Sequence, residues 1–200
     1  GLVDPIRLVV PLPDSLALTT PSLSLTTDGT RLVMSGQNGP VVRDLGELDV
    51  RVIDVGNGAD RPFFSSDGSW MAYYNAPGRQ LEKVPVEGGS PLPIVGDVSA
   101  FFGGTWGPAD SIIYSPEVSG GLWQISADGV GAPRELTTPA VGELGHWWPQ
   151  LLPGGKKVLF SVYRTPIDSA TIEVLDLETL ERTLLVRGGQ YGRHMPTGHM

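Results

Sequence analysis

An Asp-Gly turn between two apolar runs, FFSSDGSWMAYYN at residues 63–75, recurs along this chain at nearly constant spacing. That period constrains the fold more than any single residue does, because self-similarity of this length marks a repeat architecture. Gly68 supplies the positive φ that a tight turn between twisted strands requires, so the stretch reads as a β-hairpin. Related stretches are SLSLTTDGTRLVMSG (22–36), GGTWGPADSIIYSPE (103–117), WPQLLPGGKKVLFSV (148–162) and the short GRHMPTGHM (192–200). With the turn Asp as the mark, Asp28, Asp67, Ala109, Gly154 and Thr197 are equivalent and lie 39, 42, 45 and 43 residues apart.

Each hairpin is followed by a second strand–turn–strand unit, in LEKVPVEGGSPLPIVG from Leu81, LWQISADGVGAPRELT from Leu122 and IEVLDLETLERTLLV from Ile172. Four strands per repeat at this period match the blade of a β-propeller. With 27 Gly and 18 Pro in 200 residues, few windows can hold even three helical turns. The expected fold is therefore all-β: a β-propeller of four-stranded antiparallel blades, about four of them in this chain, forming part of a larger propeller. One domain spans 1–200, with repeats near 22–60, 61–102, 103–145 and 146–190 and an incomplete fifth from 191. A closed four-bladed ring, with residues 6–12 (IRLVVPL) adding an outer strand to the last blade, is the alternative. Leu180 in DLETLERT stands where such a turn has Gly, so it is either strained or in a different kind of turn, and the second is expected.

The pattern seen in SSDGSWMAYYN and TTDGTRLVMSG, with LWQISADGVGAP and a closing ELTTP, resembles the TolB-like, WD-like propeller repeat over essentially the whole chain. The opening IRLVVPLPDSLAL resembles the strand that leads into the propeller at the C-terminus of bacterial membrane-anchored Ser/Thr kinases. What this resemblance implies is a binding or scaffold module, the sensor or interaction part of a larger bacterial protein, located in the periplasm or otherwise outside the cytoplasm. Propellers of the group also sit in front of prolyl-oligopeptidase-like hydrolases, so a gating domain, or a propeller with its own channel active site, is the competing reading.

A formal net charge of −8 argues against a nucleic-acid partner, which needs a basic stripe to replace counterions. No run of about 20 apolar residues is present for membrane insertion, and the lack of Cys removes disulfides and thiolate metal sites. No phosphate loop, HExxH, GxSxG, HRD or DFG motif occurs, so no catalytic role is expected of this chain. GGTWG at 103–107 imitates a nucleophile elbow with Thr105 in the serine place, but the elbow needs a strand-to-helix turn and a hairpin entry is expected here.

The candidate surface is the set of loops leading into the first strand of each repeat, NGADRPFF, VSAFFGGTW, GELGHWWPQ and GQYGRHMP, which converge at one mouth of a propeller channel. Candidate ligand-binding residues there are Arg61, Phe101, Phe102, His146, Trp147, Tyr191, Arg193 and His194, of the types enriched at binding hot spots. Trp106 and Trp148 are expected to wedge between blades as core. His146, His194 and His199 lack a matching carboxylate set, so no metal or cofactor is expected. The expected partner is a protein or peptide, or a small ligand at the channel mouth.

Overall fold

In the computed structural model, residues 18–194 are described; the expectations placed on residues 6–12, Thr197 and His199 lie outside them. Four antiparallel sheets follow one another, each with its strands in chain order. The first holds β1 Leu18–Leu25, β2 Arg31–Gly36, β3 Gly39–Asp44 and β4 Arg51–Val52. The second holds β5 Ala59–Phe64, β6 Trp70–Asn75, β7 Gln80–Pro85 and β8 Leu92–Val95. The third holds β9 Gly104–Trp106, β10 Ser111–Tyr114, β11 Trp123–Ser126 and β12 Arg134–Glu135, and the fourth β13 Glu143–Leu151, β14 Lys157–Arg164, β15 Thr171–Asp176 and β16 Arg182–Arg187. These are four-stranded blades, as the repeat requires. They stack in chain order, with first strands in contact from blade to blade (β1 on β5, β5 on β9, β9 on β13), so the first strands line the inner edge. Helix among the described residues is confined to two single 3-10 turns, and none is long and apolar enough to cross a membrane.

The uneven alternation in the strands has a packing cause. Met71 and Tyr73 of β6 join Val33, Val42 and Ile53 of the first blade, while Ala72 and Tyr74 join Phe101, Trp106, Ile112 and Tyr114 of the third. Ile113 then faces Val158, Phe160 and Val162 of the fourth blade. A middle strand is thus buried on both faces, and WMAYY reads as a continuous apolar run for that reason. Each fully buried aliphatic or aromatic side chain is worth about 1.5–3 kcal/mol, so this two-sided burial outweighs any single turn.

The turns set the register. In the first two blades Asp28 and Asp67 accept three hydrogen bonds each: from Thr26 Oγ1, Thr30 N and Thr30 Oγ1 at 2.6, 3.0 and 2.8 Å, and from Ser65 Oγ, Ser69 N and Ser69 Oγ at the same three distances. The hydroxyls of Thr26 and Ser65, then the backbone N–H of Thr30 and Ser69, then the hydroxyls of those two residues, hold the carboxyls at about 2 against an ordinary value of 3.8. Where the Asp is lost, backbone geometry replaces it: Ala109 and Asp110 both take positive φ (55° and 51°), and Gly154 and Gly155 do the same in the fourth blade. Leu180 corrects the expectation made for it. The β15–β16 loop is indeed of another kind, a longer turn in which Asp176 accepts Glu178 N and Thr179 N with its side chain and Leu180 N with its carbonyl, yet Leu180 still closes it at φ 59°. Its side chain is exposed, so left-handed backbone strain is not compounded by a packing clash.

After β16 the chain crosses the face of the fourth blade that is turned away from the third. Gly188 N bonds Ala170 O at 2.8 Å, Tyr163 Oη donates to Gln190 O at 2.7 Å, and Gly189 and Gly192 lie so close to Ile172 that a Cβ would come within 2.8 and 2.7 Å of it. The Gln150 amide brackets His194, accepting from its N at 2.8 Å and donating to its O at 3.1 Å. One blade earlier Thr105 Oγ1 accepts from Leu151 N at 3.2 Å, so the fourth blade holds this segment by the type of contact through which the third holds the fourth.

Replacing Asp67 with Ala is expected to lower the melting temperature by about 2–4 °C, the scale of a lost cap-type interaction in a chain of this length. Because the folded pKa of Asp28 and Asp67 lies below the unfolded one, their contribution is complete above pH 3.8 and is lost as pH falls toward about 2. A thermal melt of the Asp67→Ala variant that matches wild type at pH 7 would show the carboxylate to be a bystander.

Candidate functional site

The inner edge carries a feature that repeats with the blades. Pairing of β5 with β6 slips between Asp60 and Phe63, and pairing of β13 with β14 slips between Trp147 and Gln150, each slip marking a β-bulge. The bulged residues are left-handed: Arg61 at φ 47° and Trp148 at φ 59°, with Gly103 at φ 96° at the matching place before β9. Arg61, Gly103, Trp148 and Tyr191 lie 42, 45 and 43 residues apart, the same intervals as the turns. Arg61 and Trp148 each precede a proline, a position that favours extended backbone. Two large non-glycine residues held at positive φ store roughly 1–3 kcal/mol of strain each.

The bulges bring side chains from three blades together. The Arg61 guanidinium lies 5.7 Å from the Phe102 ring centroid and 5.4 Å from that of Trp148. Its Nη1 donates to Phe101 O and pairs with Asp60 Oδ2 at 3.2 Å. Phe102 stacks on Trp147 at 4.2 Å, Trp147 lies on Tyr163 at 4.0 Å and donates from Nε1 to Val118 O at 3.1 Å, and Trp148 meets the edges of Phe102 and Tyr191. Arg193 lies 4.5 Å over Tyr191. Tyr191 is 54% exposed; Arg61, Phe102, Trp147, Trp148 and Arg193 are half-buried. Gly103 makes the arrangement possible, since a Cβ there would stand 3.1 Å from Trp148 Cε3 and 3.4 Å from its Cα. Without a side chain on the intervening blade, Arg61 of the second blade reaches Trp148 of the fourth.

Of the residues expected at the mouth, the structure brings together Arg61, Phe102, Trp147, Tyr191 and Arg193. It adds Trp148, which sequence reasoning assigned to the core; the spacing of Arg61-Pro62 and Trp148-Pro149 is the signal that connects them. His194 is present by its backbone, through Gln150. Trp106 is core as expected. Thr105 lies on a strand and spends its hydroxyl on Leu151 N, so GGTWG is no elbow.

Phe101 and His146 are corrections. Phe101 is 1% exposed, stacked on Phe63 and Tyr74 in the core between the second and third blades. His146 is 0% exposed, because β13 turns it toward the third blade into a buried polar network. At its centre is Glu143, 4% exposed, whose Oε1 receives Arg164 at 2.6 Å and Arg182 at 2.8 Å, and whose Oε2 receives Ala140 N at 2.8 Å and His146 Nε2 at 2.9 Å. Glu173 takes the other side of Arg182 at 2.9 Å. Burial pushes the Glu143 carboxyl up, but the Arg182 hydrogen bond, the Ala140 N–H and His146 outweigh it and hold it at about 2. For His146, burial dominates and lowers the pKa, with the Glu143 hydrogen bond opposing it. The partners fix its tautomer: Thr137 Oγ1 accepts from Leu122 N and donates to Nδ1, leaving the proton on Nε2 for Glu143. Among the described residues, no three of His, Asp and Glu group as a metal site.

No family model matches the sequence, and no curated protein matches it. Solved structures do. TolB from Acinetobacter baumannii superposes with a TM-score of 0.66 at 17% identity, over 85% of this chain and 44% of that one. Oligogalacturonate lyase from Vibrio parahaemolyticus gives 0.63 at 17%, over 86% and 53%, and the hydrazine synthase of Kuenenia stuttgartiensis 0.61 at 14%, over 88% and 53%. The chain spans about half the length of these structures. At these identities the likeness concerns the fold, and together with the four blades it defines the chain as β-propeller.

A basic group whose folded pKa is depressed gives stability that is complete above its unfolded pKa and declines as pH falls below it. His146 is therefore expected to make the chain less stable at pH 5 than at pH 7.5, and in the His146→Gln variant that difference should shrink. Melting temperatures at the two pH values check this; an equal fall in the variant assigns the pH dependence to other groups.

Proposed function

We propose that this chain is a non-catalytic binding module and that a segment of another protein docks on the inner-edge cluster of Arg61, Phe102, Trp148, Tyr191 and Arg193. The observation that carries this reading is the recurrent left-handed position: three successive blades hold it, the second and fourth with a bulged non-glycine residue at a cost in backbone strain, and the side chains around it converge on one partly open surface. Aromatic and Arg side chains that are half-buried before a partner arrives lose little freedom on binding, which is the property of interface anchors. The rigid stacked blades hold the cluster in place, and selectivity belongs to the bulges rather than to the repeated strands.

The resemblance of the repeat and of residues 6–18 to kinase-linked propellers supports a larger bacterial protein as the setting, with this chain as its sensor or interaction part outside the cytoplasm, for example on a membrane-anchored Ser/Thr kinase. Likeness to oligogalacturonate lyase supports the competing reading, a propeller with chemistry of its own, which calls for a carbohydrate acid as ligand.

Selection of peptides on the immobilised chain tests the proposal. Selected peptides are expected to lose about 30-fold or more in affinity for the Tyr191→Ala variant, the scale of a hot spot, and nothing for Asp67→Ala. Equal affinity for wild type and Tyr191→Ala would remove the inner edge as the docking surface.

A further inference from the structure

Arg61 is held in a way that leaves one edge of its guanidinium for a ligand. Nη1 is committed to Phe101 O and Asp60, and the plane is kept in position by the Phe102 and Trp148 rings. The Nε–H and Nη2–H groups have no protein partner among the described residues, and the side chain keeps 27% of its surface exposed. Those groups form the planar fork that matches a carboxylate with two parallel hydrogen bonds. Because the rings and the Phe101 carbonyl already fix the guanidinium, little further ordering is needed when a ligand arrives.

The rest of the cluster narrows the ligand. Trp147 has Phe102 on one face at 4.2 Å and Tyr163 on the other at 4.0 Å, Phe102 is used by Trp147 and Arg61, and Tyr191 carries Arg193. Both faces of Trp147 are thus spent inside the cluster, while Trp148 and Tyr191 each carry one Arg and offer apolar walls beside Arg61. Asp60 stands 3.2 Å from Arg61 and the chain carries a net charge of −8, both of which oppose a dianion or a polyanion. A single negative charge next to an apolar group satisfies all three conditions.

Resting on the binding reading above, we propose that the inner edge recognises a peptide through one carboxylate, received on the Nε–Nη2 edge of Arg61, with the neighbouring peptide side chain against Trp148 and Tyr191. The carboxylate comes from an Asp or Glu side chain or from a peptide C-terminus.

Two hexapeptide libraries, one N-acetylated and C-amidated and one with a free C-terminal carboxylate, are screened against the full chain and against Arg61→Lys and Tyr191→Ala, each checked by its melting curve. The expected result is dominance of Asp or Glu at one position of the capped library, or preference for the free carboxylate, which separates the two sources. For peptides so selected, Glu→Gln or C-terminal amidation, which leaves the protein untouched, should weaken binding about tenfold to a hundredfold. Arg61→Lys, which keeps the charge and removes the fork, should weaken it similarly. Tyr191-dependent binding of neutral, basic or phosphoserine peptides, or indifference to Glu→Gln, overturns the carboxylate proposal and leaves the peptide-binding reading standing. Absence of Tyr191-dependent peptide binding overturns both, as does Tyr191-dependent binding of a galacturonate trisaccharide in its place.

Discussion

Burial of each blade's middle strands on both faces is the interaction on which the rest of this structure depends. Met71 and Tyr73 belong to one inter-blade core and Ala72 and Tyr74 to the next, and Ile112 and Ile113 divide in the same way. A blade of this kind has no solvent face to lose, so its position relative to its neighbours is set by side-chain packing in two directions at once. Stacked blades then define an inner edge made only of first strands, and the aromatic and Arg cluster is built by modifying that edge.

The modifications follow a division of labour. A left-handed residue at the same register in the second, third and fourth blades, bulged out of the ladder in the second and fourth, decides by its identity what is presented: Arg from the second blade, nothing from the third, Trp from the fourth. The empty place is as important as the filled ones, because Gly103 lets Arg61 and Trp148 meet across it. Behind this edge the Glu143 network joins four positions of the fourth blade, from β13, β14, β15 and β16, and ties it through His146 and Thr137 to the third. Removing one member of such a network strands a buried charge, which is destabilising even where the intact network offsets little more than its own desolvation.

Part of this was open to reading along the chain. The turns at Asp28 and Asp67 announce themselves because the carboxylate, the hydroxyl two residues before it and the hydroxyl two residues after it are all local. Leu180 shows the limit of that reasoning, since a loop organised by Asp176 forces a left-handed residue that composition does not mark. His146 and Trp147 are adjacent and were equally plausible at a ligand surface; the pleat sends one into the network and the other to Phe102.

What the sequence by itself determined is the period, the four-stranded repeat and the exclusion of helix, because turn chemistry and apolar runs act over a few residues. Tertiary structure alone decided which of the inner-edge residues gather at the open surface and which are core. Arg61, Gly103 and Trp148 share a backbone angle and a register rather than a residue type, and they meet only when three blades have stacked. Contact between residues so far apart in the chain is fixed by the packing of the blades between them, which no local pattern encodes.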